Sequence, residues 1–165
     1  MTNKKLFGLM GKLGACHEAL NWIGERNLAT AWAECERADW MLWLCARMEG
    51  RKGWPTHQQV VLAACSCAAT ALRFVPKGEQ RPARAIATAR RWARGKATIE
   101  EVRHAAYADS AAYVAAGAAD AAYAAASAAY AAGAADAAAS AAYAAAHKKM
   151  CRILRRMLAI PGGKP

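Results

Sequence analysis

Three groups of side chains in this 165-residue chain have types and spacings that could do chemistry. The first is the carboxylate cluster Glu34, Glu36 and Asp39. General acid–base work needs two carboxyl groups facing one another across a pocket. These three crowd a helix end, where Asp39 serves as the N-cap of a helix over Trp40–Met48, so capping explains them better than catalysis. The second group is the thiols Cys16, Cys35, Cys45, Cys65, Cys67 and Cys151. Cys65-Ser66-Cys67 imitates a metal-binding pair, but on a helix residues two apart diverge by about 200°. Cys16 and His17 are adjacent and point apart for a similar reason. Most of the thiols sit in apolar helical context, where Cys packs as a small hydrophobe. Unpaired thiols suit a reducing cytoplasm. With no Gly-rich phosphate loop and no nucleophile elbow, the chain is read as non-enzymatic, with no cofactor and no metal site.

The third group is cationic, and it carries the functional reading. On a helical wheel for 81–94, Arg81, Arg84, Arg90, Arg91 and Arg94 occupy one half, with Lys77 and Lys96 beyond the ends. Ala85, Ile86, Ala89, Trp92 and Ala93 occupy the other half. Arg forks bind carboxylate or phosphate bidentately, and five on one face exceed what solubility needs. A secondary basic patch, Lys148, Lys149, Arg152, Arg155 and Arg156, lies opposite the apolar face Met150, Cys151, Ile153, Leu154, Met157 and Leu158. That apolar face holds no Trp or Phe, so it docks onto the rest of the fold more readily than onto a membrane surface. Trp54, in the basic loop Arg51-Lys52-Gly53-Trp54-Pro55, is the candidate for exposed stacking. The competing reading of both basic faces is an ordinary solvated surface. If they bind, the first bet is the 81–94 face, because the other patch lies near a chain end.

The charge distribution supports that emphasis. The net charge is +11. Residues 1–50 balance, residues 73–96 carry eight basic residues against Glu79, and residues 148–165 carry six basic residues and no acid. Concentrated charge of this kind invites an acidic partner protein, or else nucleic acid or a nucleotide. No run of about 20 uninterrupted apolar residues is present, so no membrane partner or span is expected. The basic start and short apolar run at 1–14 lack a convincing cleavage site and do not read as a signal peptide.

The elements that must hold these groups read as helical throughout. Asn27 caps a helix from Leu28 to about Glu36. Thr56-His57-Gln58-Gln59 is a capping box opening a helix to about Phe74, stopped by Pro76 and apolar nearly all round, hence central. Pro82 fits the first turn of Arg81–Arg94, which Gly95 ends. Thr98-Ile99-Glu100-Glu101 is a second capping box. Residues 15–23 are helical too, and no segment alternates well enough to be a strand. The expectation is an all-α, single-domain bundle. Its N-terminal segment 1–14 is open to flexibility and residues 159–165 form a tail.

From Thr98 the chain enters an alanine tract. Of residues 104–147, 28 of 44 are Ala, the best helix former. The tract is read either as one long helix or as two consecutive ones broken near Gly133. From Ser110 its marked positions step by threes and fours, so the stripe drifts around a straight helix. Residues 115–130 and 131–146 agree at 12 of 16 positions, which indicates duplication. Its Tyr residues fill gaps between close Ala faces, in preference to forming a stacking ladder. Gly117 and Gly133 allow close helix approach, including between two copies, so a homodimer and a structural role stay open.

The stretches ATAWAECERADWMLWL (29–44) and VLAACSCAATALRFVPKGEQRPARAIATARRWARGKATIEEVRHAAYA (61–108), together with the Ala/Tyr/Asp tract, resemble the family of small Ala-rich proteins of bacteria and phages labelled as immunity proteins. The resemblance runs from about residue 16 to residue 158. It implies a protein that protects by binding something, as a toxin immunity protein or a phage counter-defence inhibitor. It implies no particular functional residues.

Overall fold

The computed structural model describes residues 1–75, 77–107 and 136–162. All regular structure among them is helical. In chain order the helices are α1 (Asn3–Lys12), α2 (His17–Ile23), α3 (Leu28–Glu34), α4 (Ala38–Met48), α5 (His57–Ala68), a 3-10 segment (Ala69–Phe74), α6 (Arg81–Ala93), α7 (Ile99–Tyr107) and α8 (Asp136–Met157). The protein is all-α.

Local chemistry sets most of the helix starts. The Asn27 side chain accepts the Thr30 amide at 3.1 Å and opens α3. Thr56 and Gln59 form a reciprocal capping box at α5, with bonds of 3.3 and 2.8 Å. Thr98 and Glu101 do the same at α7, at 3.1 and 2.7 Å. Each box satisfies two amides that a helix start otherwise leaves orphaned. Pro82 sits in the first turn of α6, and Gly95 follows its end at a φ of +70°, a left-handed conformation that suits glycine.

Several boundaries differ from the sequence expectation. α3 stops at Glu34, two residues early. Asp39 is not the cap of α4. Arg37 occupies that position without a side-chain cap bond, and Asp39 lies in the first turn, gripping Arg37. α5 ends at Ala68 and tightens into the 3-10 segment, where the Thr70 hydroxyl donates to the Cys67 carbonyl at 2.7 Å. Residues 3–12 are not loose but form α1, with Leu6 and Met10 buried. The tail reading also fails for Ile160, which is buried against the core.

α5 is the central element. It packs against α4, α6 and α8, and α8 packs against α4 as well. Small side chains occupy these contacts: Cys45, Ala63 and Cys151 are fully buried and Cys67 nearly so. Met41, Leu44, Met150, Leu154 and Leu158 complete the core. The last stretch of the alanine tract and the basic segment after it are one continuous helix, α8. Residues 108–135, which include Gly117 and Gly133, lie outside the described residues, as does the Pro76 stop. The break near Gly133 and the Tyr ladder belong mainly to that stretch.

Candidate functional site

α6 presents the main cationic face. Pro82, Ala85, Ile86 and Ala93 are buried, and Trp92 sets its ring edge-on to His57 at 5.4 Å. That anchors one side of the helix and turns Arg81, Arg84, Arg91 and Arg94 outward. Several of these guanidinium groups are already engaged. Arg81 pairs with Glu79, whose carboxyl is held below its usual range by the Arg81 hydrogen bonds. Arg84 donates to the Gln80 side chain at 3.0 Å, and Arg91 bridges to the Lys96 carbonyl at 3.1 Å and to Glu101 at 3.3 Å. Arg90 does not belong to the face. It is half-buried and reaches back to the Cys65 carbonyl of α5 at 3.4 Å. The exposed side chains of Lys77, Arg94 and Lys96 have no hydrogen-bond or ion-pair partner among the described residues, and the Arg84 guanidinium meets only a neutral amide.

One neighbour of this face escaped the sequence reading. Phe74, at the end of the 3-10 segment, is 58% exposed, with the Arg73 guanidinium 4.5 Å from its ring centroid. The 3-10 segment packs against α6. The available signal was a Phe placed at the expected end of a helix, immediately before the basic turn. Trp54, the stacking candidate, is instead partly buried and packed against the core. Pro161 lies beside this loop, within contact range of a Cβ built at Gly53.

The second basic patch divides in two. Lys149, Arg152 and Arg156 are exposed without partners among the described residues. Arg155 and Lys148 are structural. The Arg155 guanidinium donates to the Trp32 carbonyl at 2.9 Å and to the Cys35 carbonyl, capping the end of α3, and Lys148 pairs with Glu36 at 3.1 Å. The helix carrying them is pinned by Met150, Cys151 and Leu154, all buried. The chain-end argument for ranking this patch second therefore has no structural support.

The three carboxylates of the first group are each paired to a cation: Glu34 with Arg26 at 2.8 Å, Glu36 with Lys148, and Asp39 with Arg37 at 2.8 Å. All six cysteines are free and five are buried. Burial pushes the Cys45, Cys67 and Cys151 thiols up to about 12. Among the described residues no group of His, Cys, Asp and Glu is arranged to hold a metal ion. An apolar cavity of about 40 Å³ lies among α1–α4, bordered by Trp22, Trp32 and Trp40. That is room for a few water-sized molecules, far short of a metabolite. No described helix is long and apolar enough to cross a membrane.

Compared with known proteins, the chain matches no family model, no curated protein and no solved structure.

Proposed function

We propose that this chain is a non-enzymatic binding protein that neutralises an acidic partner protein by stoichiometric occupancy, either as toxin immunity or as a phage counter-defence inhibitor. One observation carries the reading. The α6 end of the molecule holds Lys77, Arg84, Arg94 and Lys96 exposed and unneutralised on a backbone fixed by Ile86 and Trp92. A preorganised face loses less entropy on binding than a loose one. The resemblance read from the sequence points the same way.

The test is charge reversal on groups that make no internal ion pair. Arg91 is tied to α7, so the informative pair is Arg84 and Arg94. From lysate of the natural host, tagged wild-type protein enriches one protein at near-equal stoichiometry. The R84E/R94E variant, with an unchanged circular dichroism spectrum, loses that protein. R152E/R156E weakens its capture only modestly. If wild type enriches no such protein, the reading fails.

A second reading, nucleic-acid or nucleotide binding, draws support from the exposed Phe74 ring with the Arg73 guanidinium over it. Single strands bind where aromatic faces adjoin cations. Such binding weakens steeply with salt, so oligonucleotide anisotropy at low and high salt tests it. Affinity that does not change with salt excludes it.

A further inference from the structure

The break between α3 and α4 at residues 35–37 leaves unpaired carbonyls on one side and unpaired amides on the other. α8 satisfies both sides. Arg155 caps the α3 carbonyls, as described above, and the Ala38 amide at the start of α4 donates to Nδ1 of His147 at 3.1 Å. His147 is 1% exposed. An Nδ1 that accepts a hydrogen bond carries no proton, so the imidazole here is the neutral Nε2–H tautomer. We propose that His147 is a proton-operated latch: neutral, it fastens α8 to the α3–α4 elbow, and protonation releases that fastening.

The geometry makes the two states incompatible. A proton on Nδ1 would face the Ala38 N–H donor to donor. The carboxylate beside it, Asp39 Oδ1, is 3.7 Å away, beyond hydrogen-bond range, so the ring must shift from the amide to reach it. Asp39 is already committed, because Arg37 donates to its two oxygens at 3.0 and 2.8 Å. The remaining surroundings offer little help to a cation. Tyr143, one turn back on α8, sets its ring 4.4 Å from the imidazole. Cys35, just past the end of α3, donates its thiol to the Arg37 carbonyl, and the Cys151 thiol, one turn further on, is buried and neutral. Lys148, the next residue, is turned to Glu36. His147 Nε2 has no partner among the described residues.

The electrostatics agree in direction. Burial lowers the affinity of His147 for a proton, Asp39 opposes this, and Arg37 adds to it, with the balance below the ordinary value. A group whose folded pKa is depressed is protonated first in the undocked state. α8 docking is therefore fully supported above the ordinary histidine value of about 6.5 and weakens as pH falls below it. Asp39, where burial is outweighed by Arg37 and His147, sits below the usual carboxylate value and stays ionised through that window.

The experiment is hydrogen exchange of the full chain at about pH 7.5 and about pH 5, corrected for intrinsic exchange, with α5 as internal reference. In wild type, protection of α8 and of the Ala38 amide falls about tenfold relative to α5 on acidification. H147N offers an amide oxygen near the place of Nδ1 and cannot titrate, so its protection stays constant. In D39N the loss at about pH 5 is larger than in wild type, because the docked imidazole no longer has the carboxylate that favours its proton. Equal α8 protection at both pH values in wild type, or the same loss in H147N, overturns the latch. If H147N does not fold, titration of the His147 ring by NMR decides. A midpoint below about 6.5 supports the latch, and one at or above it overturns it.

Discussion

Arg155 shows what a side chain can do once its neighbours are known. On a helical wheel it belongs to the polar half of α8, and the sequence reading counted it among the binding cations. Its long stem carries the guanidinium to two carbonyls of a helix more than a hundred residues earlier. Nothing local in the sequence signals that reach, because it depends on where α3 lies across α8. The misreading of Trp54 has the same origin: its own loop is polar, but its ring packs against the distant core. Replacing Arg155 with Ala leaves those carbonyls unsatisfied and should cost about 1–3 kcal/mol in urea unfolding. Arg152→Ala, an exposed neighbour, should stay within about 0.5 kcal/mol. Equal effects of the two would mean that the Arg155 bonds contribute nothing. Arg90 was misassigned by the same limit, since the wheel gives its angle on α6 but not the nearby Cys65 carbonyl it finds.

At the scale of the elements, legibility followed the range of the interactions. The two Thr boxes and the Asn27 cap are contacts between residues three apart, so sequence spacing alone finds them. Thr56→Ala should destabilise the protein by about 1 kcal/mol, measured by chemical denaturation. A null effect would mean that the α5 start is held wholly by packing. Helix ends were less legible. α3 stops early because the elbow is closed from outside by α8, and a short-range reading cannot see that. α1 was the largest miss. Segment 1–14 reads as open to flexibility, but Leu6 and Met10 are buried against the core. Leu6→Ala should therefore cost about 2–5 kcal/mol, the range for a buried Leu truncation. A cost below about 0.5 kcal/mol, the scale of a surface change, would restore the loose N-terminus.

The whole molecule separates a thiol-rich interior from a cationic surface, and that division was largely legible. The all-α class followed from periodicity and punctuation, and the core role of cysteine followed from its apolar neighbours. Which cations stay unneutralised could not be read, because that depends on where Glu79, Glu101 and Glu36 come to rest. The interior gives a prediction about the fold as a unit. Cys16 is exposed, whereas Cys35, Cys45, Cys65, Cys67 and Cys151 are buried across α4, α5, α8 and the end of α3. The thiolate is the reactive form, and burial holds Cys45, Cys67 and Cys151 at about 12, so at mildly alkaline pH these side chains are almost wholly protonated. Access and ionisation thus oppose reaction together, and both are removed only when the helices separate. A thiol-specific reagent should label one cysteine per chain quickly under native conditions, with peptide mapping placing it at Cys16. All six should react in denaturant. Because the slow thiols come from several helices, they should become reactive together, at the rate of global unfolding, if the helices part as one cooperative unit. Fast native labelling at Cys67 or Cys151 would show that α8 lifts from α5 on its own, and the interior would then not be a single cooperative core.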